Sequence, residues 1–225
     1  MTQVILIRPG STDFDQQARI QGRLDIPLSD QGRQEAQKTA EKLKTLTPEA
    51  LYCSPCAAAN ETAKIVGNAL SLKPKPVDRL QNMNLGLWQG MLVDEVRVKQ
   101  TKVYKQWQEH PETIRPPEGE IVAEVAERVD EALDKLVRKH KAGVIAVVAP
   151  EPLASIIRQR ITQGAMGDLW HATNGGERFE VLNFDPDAPK PAAKTAENNG
   201  QNGTEKAEKP SPPRIIYRGV VVKNP

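Results

Sequence analysis

Residues 4–12 read Val4-Ile5-Leu6-Ile7-Arg8-Pro9-Gly10-Ser11-Thr12. Four large apolar side chains in succession fit a strand covered on both faces, and the cation, proline and glycine that follow stop it abruptly. Residues 50–53, 144–148 and 178–184 have the same β-type character, and 144–148 is apolar throughout. Between these runs the spacing turns helical. Ser29 is placed to cap a helix carrying Ala36, Ala40 and Leu43, and residues 118–140 set Ile121, Val125, Val129, Ala132, Leu133, Leu136 and Val137 on one stripe. Residues 91–117 form a longer, partly helical insertion. This alternation predicts an α/β fold, a three-layer α/β/α sandwich with a mostly parallel central sheet. Ligands of such sheets bind beyond the carboxyl ends of the strands, so the residues just after Ile7, Cys53 and Val148 are where a site is expected.

The chain has 225 residues, 38% of them hydrophobic, enough for one domain with a real core. Its 31 Lys and Arg against 29 Asp and Glu give a net charge of +2, too small a field to argue for nucleic acid or a membrane surface. The longest apolar runs, 144–149 and 4–7, fall far short of the roughly 20 residues a bilayer span needs. The amino terminus has no basic flank and no small-residue cleavage site, so a cytoplasmic location is expected. Two cysteines are too few for a disulfide scaffold, three histidines are few for a metal protein, and neither a metal nor a cofactor is expected.

Composition breaks after Phe184. Residues 186–213 contain no aromatic, Val, Ile or Leu, and cannot bury enough apolar surface to offset chain entropy. The organisation expected is therefore a domain over 1–185, a disordered linker over 186–213, and a β-prone segment over 214–225 that reads as a docking peptide, in cis or in trans. The last 40 residues hold 7 basic and 4 acidic side chains, so the slight basicity of the chain belongs to its tail.

The motifs carry more. The opening Leu6-Ile7-Arg8-Pro9-Gly10-Ser11-Thr12, with residues 19–32 and Gln34-Glu35-Ala36 after it, resembles the start of the histidine phosphatase superfamily, the phosphoglycerate mutase-like proteins. Tyr52-Cys53-Ser54-Pro55 with Glu61-Thr62-Ala63, then Leu80 through Gly86-Leu87-Trp88-Gln89-Gly90, then Pro117-Glu118-Gly119-Glu120, and finally residues 144–150 continue the resemblance in order. The resemblance implies phosphoryl transfer through a histidine. A neutral imidazole attacks phosphorus, a second histidine and two arginines hold the equatorial oxygens, and a carboxylic acid protonates the leaving oxygen.

Residue by residue the sequence departs from those requirements. The nucleophile position is Pro9, the second histidine position is Pro150, the second arginine position is Ala58 and the acid position is Asn82. Proline offers no side-chain lone pair, and an amide has no proton to give at neutral pH. Of the matched constellation only Arg8 remains, so no catalytic residue is assigned. The positions Arg8, Pro9, Ala58, Asn82 and Pro150 are read as vestigial and the domain as a pseudoenzyme acting as a protein-binding, scaffold or regulatory module. Its expected partner is another protein, reached through residues 214–223, with a weak anionic small ligand besides. The alternatives are a phosphomonoester phosphatase or mutase that recruits non-standard residues, with His110, His140 or His171 available, and a sensor of a phosphorylated small molecule.

Weaker signals accompany these. Arg8 has two readings, a residual anion contact shared with Gly10, Thr12 and Arg19, or an ion-pair partner for a buried carboxylate. Arg23 and Arg33 also flank the first motif. Cys53 and Cys56 form a two-spaced thiol pair between a strand and a helix, a context that serves redox chemistry when the thiol pKa is lowered. Trp88 and Trp107 fit either a stacking platform or packing, and Arg158 and Arg160 fit a solvated helix face.

Overall fold

The computed structural model describes residues 1–170 and 177–185. Among the described residues five strands build one sheet: β1 (Thr2–Ile7), β2 (Ala50–Cys53), β3 (Pro74–Pro76), β4 (Val144–Val148) and β5 (Phe179–Phe184). Their order is β3-β2-β4-β1-β5, with every neighbour parallel except the antiparallel β5. The α/β sandwich with a mostly parallel sheet is therefore as the alternation predicts, and strand β3 is an addition. Its three residues, Pro74-Lys75-Pro76, carry no apolar pattern, and proline is tolerated only because this is the sheet edge.

The two faces of the sheet follow from the period-2 geometry of β1. Val4 and Leu6 pack with Tyr52, Ile145 and Val147 into one core, beside α6 (Val122–Lys139) and α7 (Leu153–Thr162). Ile5 and Ile7 pack with Leu51, Cys53, Ala146 and Val148 into another, beside α2 (Asp30–Leu43) and α3 (Ala57–Leu70). All four of these β1 side chains are fully buried, and each contributes about 1.5–3 kcal/mol by leaving water. The stripe read on 118–140 is the buried face of α6, but that helix starts at Val122, because Glu118 adopts a left-handed φ of 60° after Pro116-Pro117. Glu124 then accepts the Ile121 N–H at 3.1 Å and closes the first turn. Ser29 caps α2 as expected, accepting the Gly32 N–H at 3.1 Å.

The insertion over 91–117 holds α4 (Val93–Lys99) and α5 (Thr101–Glu109), and a short helix α1 (Asp13–Gln16) follows the first motif. One expectation is corrected: Arg160 of α7 is not on a solvated face. It is 3% exposed, ion-paired with Asp130 of α6 and set 5.7 Å from the Phe184 ring centroid. Arg158, partly buried, donates to the Met166 carbonyl at 2.9 Å. No helix among the described residues is long and apolar enough to cross a membrane. The linker read over 186–213 and the docking segment read over 214–225 lie outside the described residues.

The strand register delivers the site. Ile7 pairs with Val148, so Arg8 and Ala149 leave the sheet side by side, and the Ala149 N–H donates to the Ile7 carbonyl at 2.9 Å. The turn after β1 is pressed against the first turn of α2. A Cβ on Gly10 would stand 2.0 Å from the Gly32 carbonyl oxygen, and one on Gly32 would stand 1.9 Å from the Ser11 carbonyl oxygen. Both contacts are with backbone, so neither neighbour can yield by a rotamer change. Gly32→Ala is expected to lower unfolding free energy by about 1–3 kcal/mol through overpacking, read by chemical denaturation; an unchanged midpoint would show that the two turns are not in contact.

Candidate functional site

Above the carboxyl ends of β1 and β4 lies a cavity of about 120 Å³. All five positions matched to the phosphohistidine constellation, Arg8, Pro9, Ala58, Asn82 and Pro150, line it. So do Gly10, Thr12, Arg19 and Cys56. On the insertion side the wall is aromatic: the Trp88 and Trp107 rings cross at 90° with centroids 5.4 Å apart, and Trp170 lies 5.5 Å from Trp88. Trp88 and Trp107 thus pack on each other and line the cavity at once.

The cations of this cavity are held by the chain itself. Arg8 donates through Nε to Glu151 Oε1 at 2.6 Å, and its Nη2 lies 3.6 Å from Glu180 Oε1. Of its two readings, the ion pair is the arrangement observed. Arg178, whose carbonyl accepts the Arg8 N–H at 2.7 Å, donates to the Pro9 carbonyl at 2.8 Å and the Ser11 hydroxyl at 2.7 Å, and pairs with Glu35 at 2.6 Å. Burial by itself would raise the Glu35 carboxyl, but the Ser11 N–H and hydroxyl, Gln31 and Arg178 outweigh it and hold the group below its ordinary value. Arg19 donates to Gln17 Oε1 at 2.9 Å and to the Gly90 carbonyl at 2.7 Å. Arg23 and Arg33 do not line the cavity; Arg23 pairs with Glu120 at 2.8 Å, and Arg33 with Glu61 at 2.8 Å.

The smaller donors are also occupied. The Gly10 N–H donates to Thr62 Oγ1 at 3.1 Å. Thr12 caps α1: its hydroxyl donates to Asp15 Oδ2 at 2.8 Å and accepts the Asp15 N–H and the Gln21 amide. Arg8, Gly10, Thr12 and Arg19, the four groups read as anion contacts, thus share one cavity, each already bonded within the chain.

Asn82 is 2% exposed and saturated. Its Nδ2 donates to the Gly22 carbonyl at 2.8 Å and the Glu151 carbonyl at 2.9 Å; its Oδ1 accepts the N–H of Met83 at 2.9 Å and of Leu153 at 3.3 Å. One amide thereby ties the first motif, the third motif and the turn before α7. A carboxylate could satisfy the two N–H groups but would turn its other oxygen toward two carbonyls. The position matched to the family's acid is therefore built for an amide.

The thiols do not have the environment redox work needs. Burial pushes Cys53 up to about 11, with the neighbouring Cys56 adding to it, and burial likewise raises Cys56. Both are free, Cys53 fully buried and Cys56 partly so. The histidines lie elsewhere. His140, closing α6 at the amino ends of the strands, contacts Glu49 at 2.5 Å and the Tyr52 hydroxyl at 2.9 Å. His110 is exposed beside Glu112, and His171 lies outside the described residues.

Sequence reading did not single out Glu151, Glu180 or Arg178. Glu151 had a signal, since it adjoins Pro150 at the end of the strand. Arg178 and Glu180 had none, because Arg178 reaches the cavity, and Glu180 reaches Arg8, only through the antiparallel pairing of β5 with β1. Asn82→Asp is expected to lower stability at neutral pH by about 2–3 kcal/mol, the penalty of a buried acceptor facing acceptors. The deficit should shrink as pH falls and the introduced carboxyl gains a proton to donate, which denaturation at pH 7 and pH 4 would show; an equal deficit at both would contradict the assignment.

Three comparisons place this architecture among known proteins. Residues 4–196 match the model of the histidine phosphatase superfamily, branch 1. Phosphoserine phosphatase 1 of Hydrogenobacter thermophilus is 31% identical over 149 residues, 66% of this chain and 71% of that protein. Phosphoglycerate mutase-like protein 4 of Arabidopsis thaliana is 32% identical over 149 residues, 65% of each chain. Among solved structures, a mycobacterial glucosyl-3-phosphoglycerate phosphatase complexed with VO3 superposes with a TM-score of 0.72 at 25% identity, covering 80% of this chain and 92% of that one. The order of motifs, the sheet topology and these matches agree, and the chain belongs to the histidine phosphatase superfamily.

Proposed function

We propose that this chain is a non-catalytic member of the superfamily, a binding or regulatory module that keeps the family's pocket without its phosphoryl-transfer chemistry. The observation that carries this reading is the pair of prolines: Pro9 and Pro150 line the cavity at the two positions matched to essential imidazoles. No histidine is among the described residues lining it. Losing the nucleophile alone from a covalent-catalysis site lowers the rate by roughly 10⁴–10⁶. Here the matched acid is an amide locked into four hydrogen bonds, and the matched second arginine is an alanine.

An open cavity of about 120 Å³ with polar floor and indole wall favours recognition of a small ligand as the pocket's role. Protein binding through residues 214–223 is kept as part of the proposal on composition alone.

A second reading, a phosphomonoester phosphatase, has the names of the relatives behind it and one thiol, Cys56, at the cavity. Against it, burial raises that thiol and so keeps it in the protonated, poorly nucleophilic form. The purified chain assayed against p-nitrophenyl phosphate, phosphoserine and 3-phosphoglycerate is expected to show no turnover above buffer. Activity that survives further purification and is abolished by Arg8→Ala, Cys56→Ser or His171→Ala would establish the phosphatase and identify its residue.

A further inference from the structure

Accepting the non-catalytic reading, we infer that Glu151 is an internal anion. Its carboxylate occupies the charge-binding position of the pocket and makes the site reject phosphate. The geometry supplies three independent supports. First, Glu151 takes the Nε of Arg8 at 2.6 Å, the one cation surviving from the matched constellation, and both residues line the same cavity. Second, its other oxygen accepts the Ser155 N–H at 3.1 Å in the first turn of α7, a helix of ten residues. One carboxylate thus engages both a guanidinium and a helix-terminal amide, the two kinds of donor a bound oxyanion would use. Third, the residue is buried and its backbone is anchored. Its side chain is 8% exposed, and its carbonyl is held by Asn82 at 2.9 Å.

The other carboxylates reinforce the effect. Glu180 stands 3.6 Å from Arg8 Nη2, and Glu35 closes Arg178. A phosphate dianion entering the cavity would meet Arg8 and Arg178 already paired with three carboxylates, and Arg19 already donating to Gln17 and the Gly90 carbonyl. It would have to displace a partner attached to the same chain, which forfeits no translational freedom by staying bound. An uncharged ligand meets no such competition, so the pocket selects for a molecule without a phosphate at this end. The device resembles an occupied site in which the occupant is part of the protein.

The test is calorimetric titration of the full chain with inorganic phosphate at fixed ionic strength. For the wild-type chain binding is expected to be undetectable at millimolar phosphate. Glu151→Gln, which keeps the shape and a hydrogen-bonding oxygen, is expected to gain at least tenfold in affinity, and the gain should vanish in Arg8→Ala/Glu151→Gln. Equal affinity of wild type and Glu151→Gln, weak or strong, would overturn the inference. Thermal unfolding establishes that each variant is folded. Should Glu151→Gln not fold, Glu180→Gln removes the more distant carboxylate and is expected to give a smaller gain, whereas no gain there would overturn the inference. Turnover by the wild-type chain would instead defeat the non-catalytic reading, so the two failures are distinguishable.

Discussion

The ion pair between Arg8 and Glu151 joins the end of β1 to the turn after β4 across the floor of the pocket. The two residues lie 143 positions apart, and the parallel register of Ile7 with Val148 brings them together. Arg8 is set by its backbone, which donates to the carbonyl of Arg178 next to β5. Glu151 is set by Asn82 and by α7. Three strands, one helix and the third motif therefore converge on a single contact. Removing one partner would leave a largely buried charge uncompensated, which is more damaging than the net worth of the pair.

The contacts that hold this pocket are separate from the positions matched to the family's chemical groups. The parts that hold the pocket open are the strand ends, the close approach of Gly10 to Gly32, and the aromatic wall. None of these needs an imidazole or an acid. Positions that in the family would handle a proton or a phosphoryl group here carry rings, an alanine and an amide, and the amide has a structural task that a carboxylate could not perform. The outcome is a polar cavity in which each lining arginine already has an acceptor within the chain.

Much of this was legible in the sequence, for physical reasons that differ by element. Residues 4–7 of β1 and strands β2 and β4 announce themselves because both faces are buried, so the apolar run is unbroken. The stripe on α6 is equally plain. Strand β3 is hidden because an edge strand of Pro74-Lys75-Pro76 contributes almost no core, and Arg160 reads as solvated because its partner Asp130 lies on a different helix. The convergence of Arg8, Pro9, Ala58, Asn82 and Pro150 on one cavity follows from motif order combined with strand ends. Glu151 and Glu180 as counter-ions could not be read, since pairing depends on side-chain direction and on register across β5, which residue type does not encode.

The most direct measurement is a crystal structure of the full chain soaked in orthovanadate at neutral pH. The account predicts the Glu151 carboxylate on Arg8, as here, with no vanadate at the end of β1. Vanadate bound by Arg8, with Glu151 turned away, would contradict it.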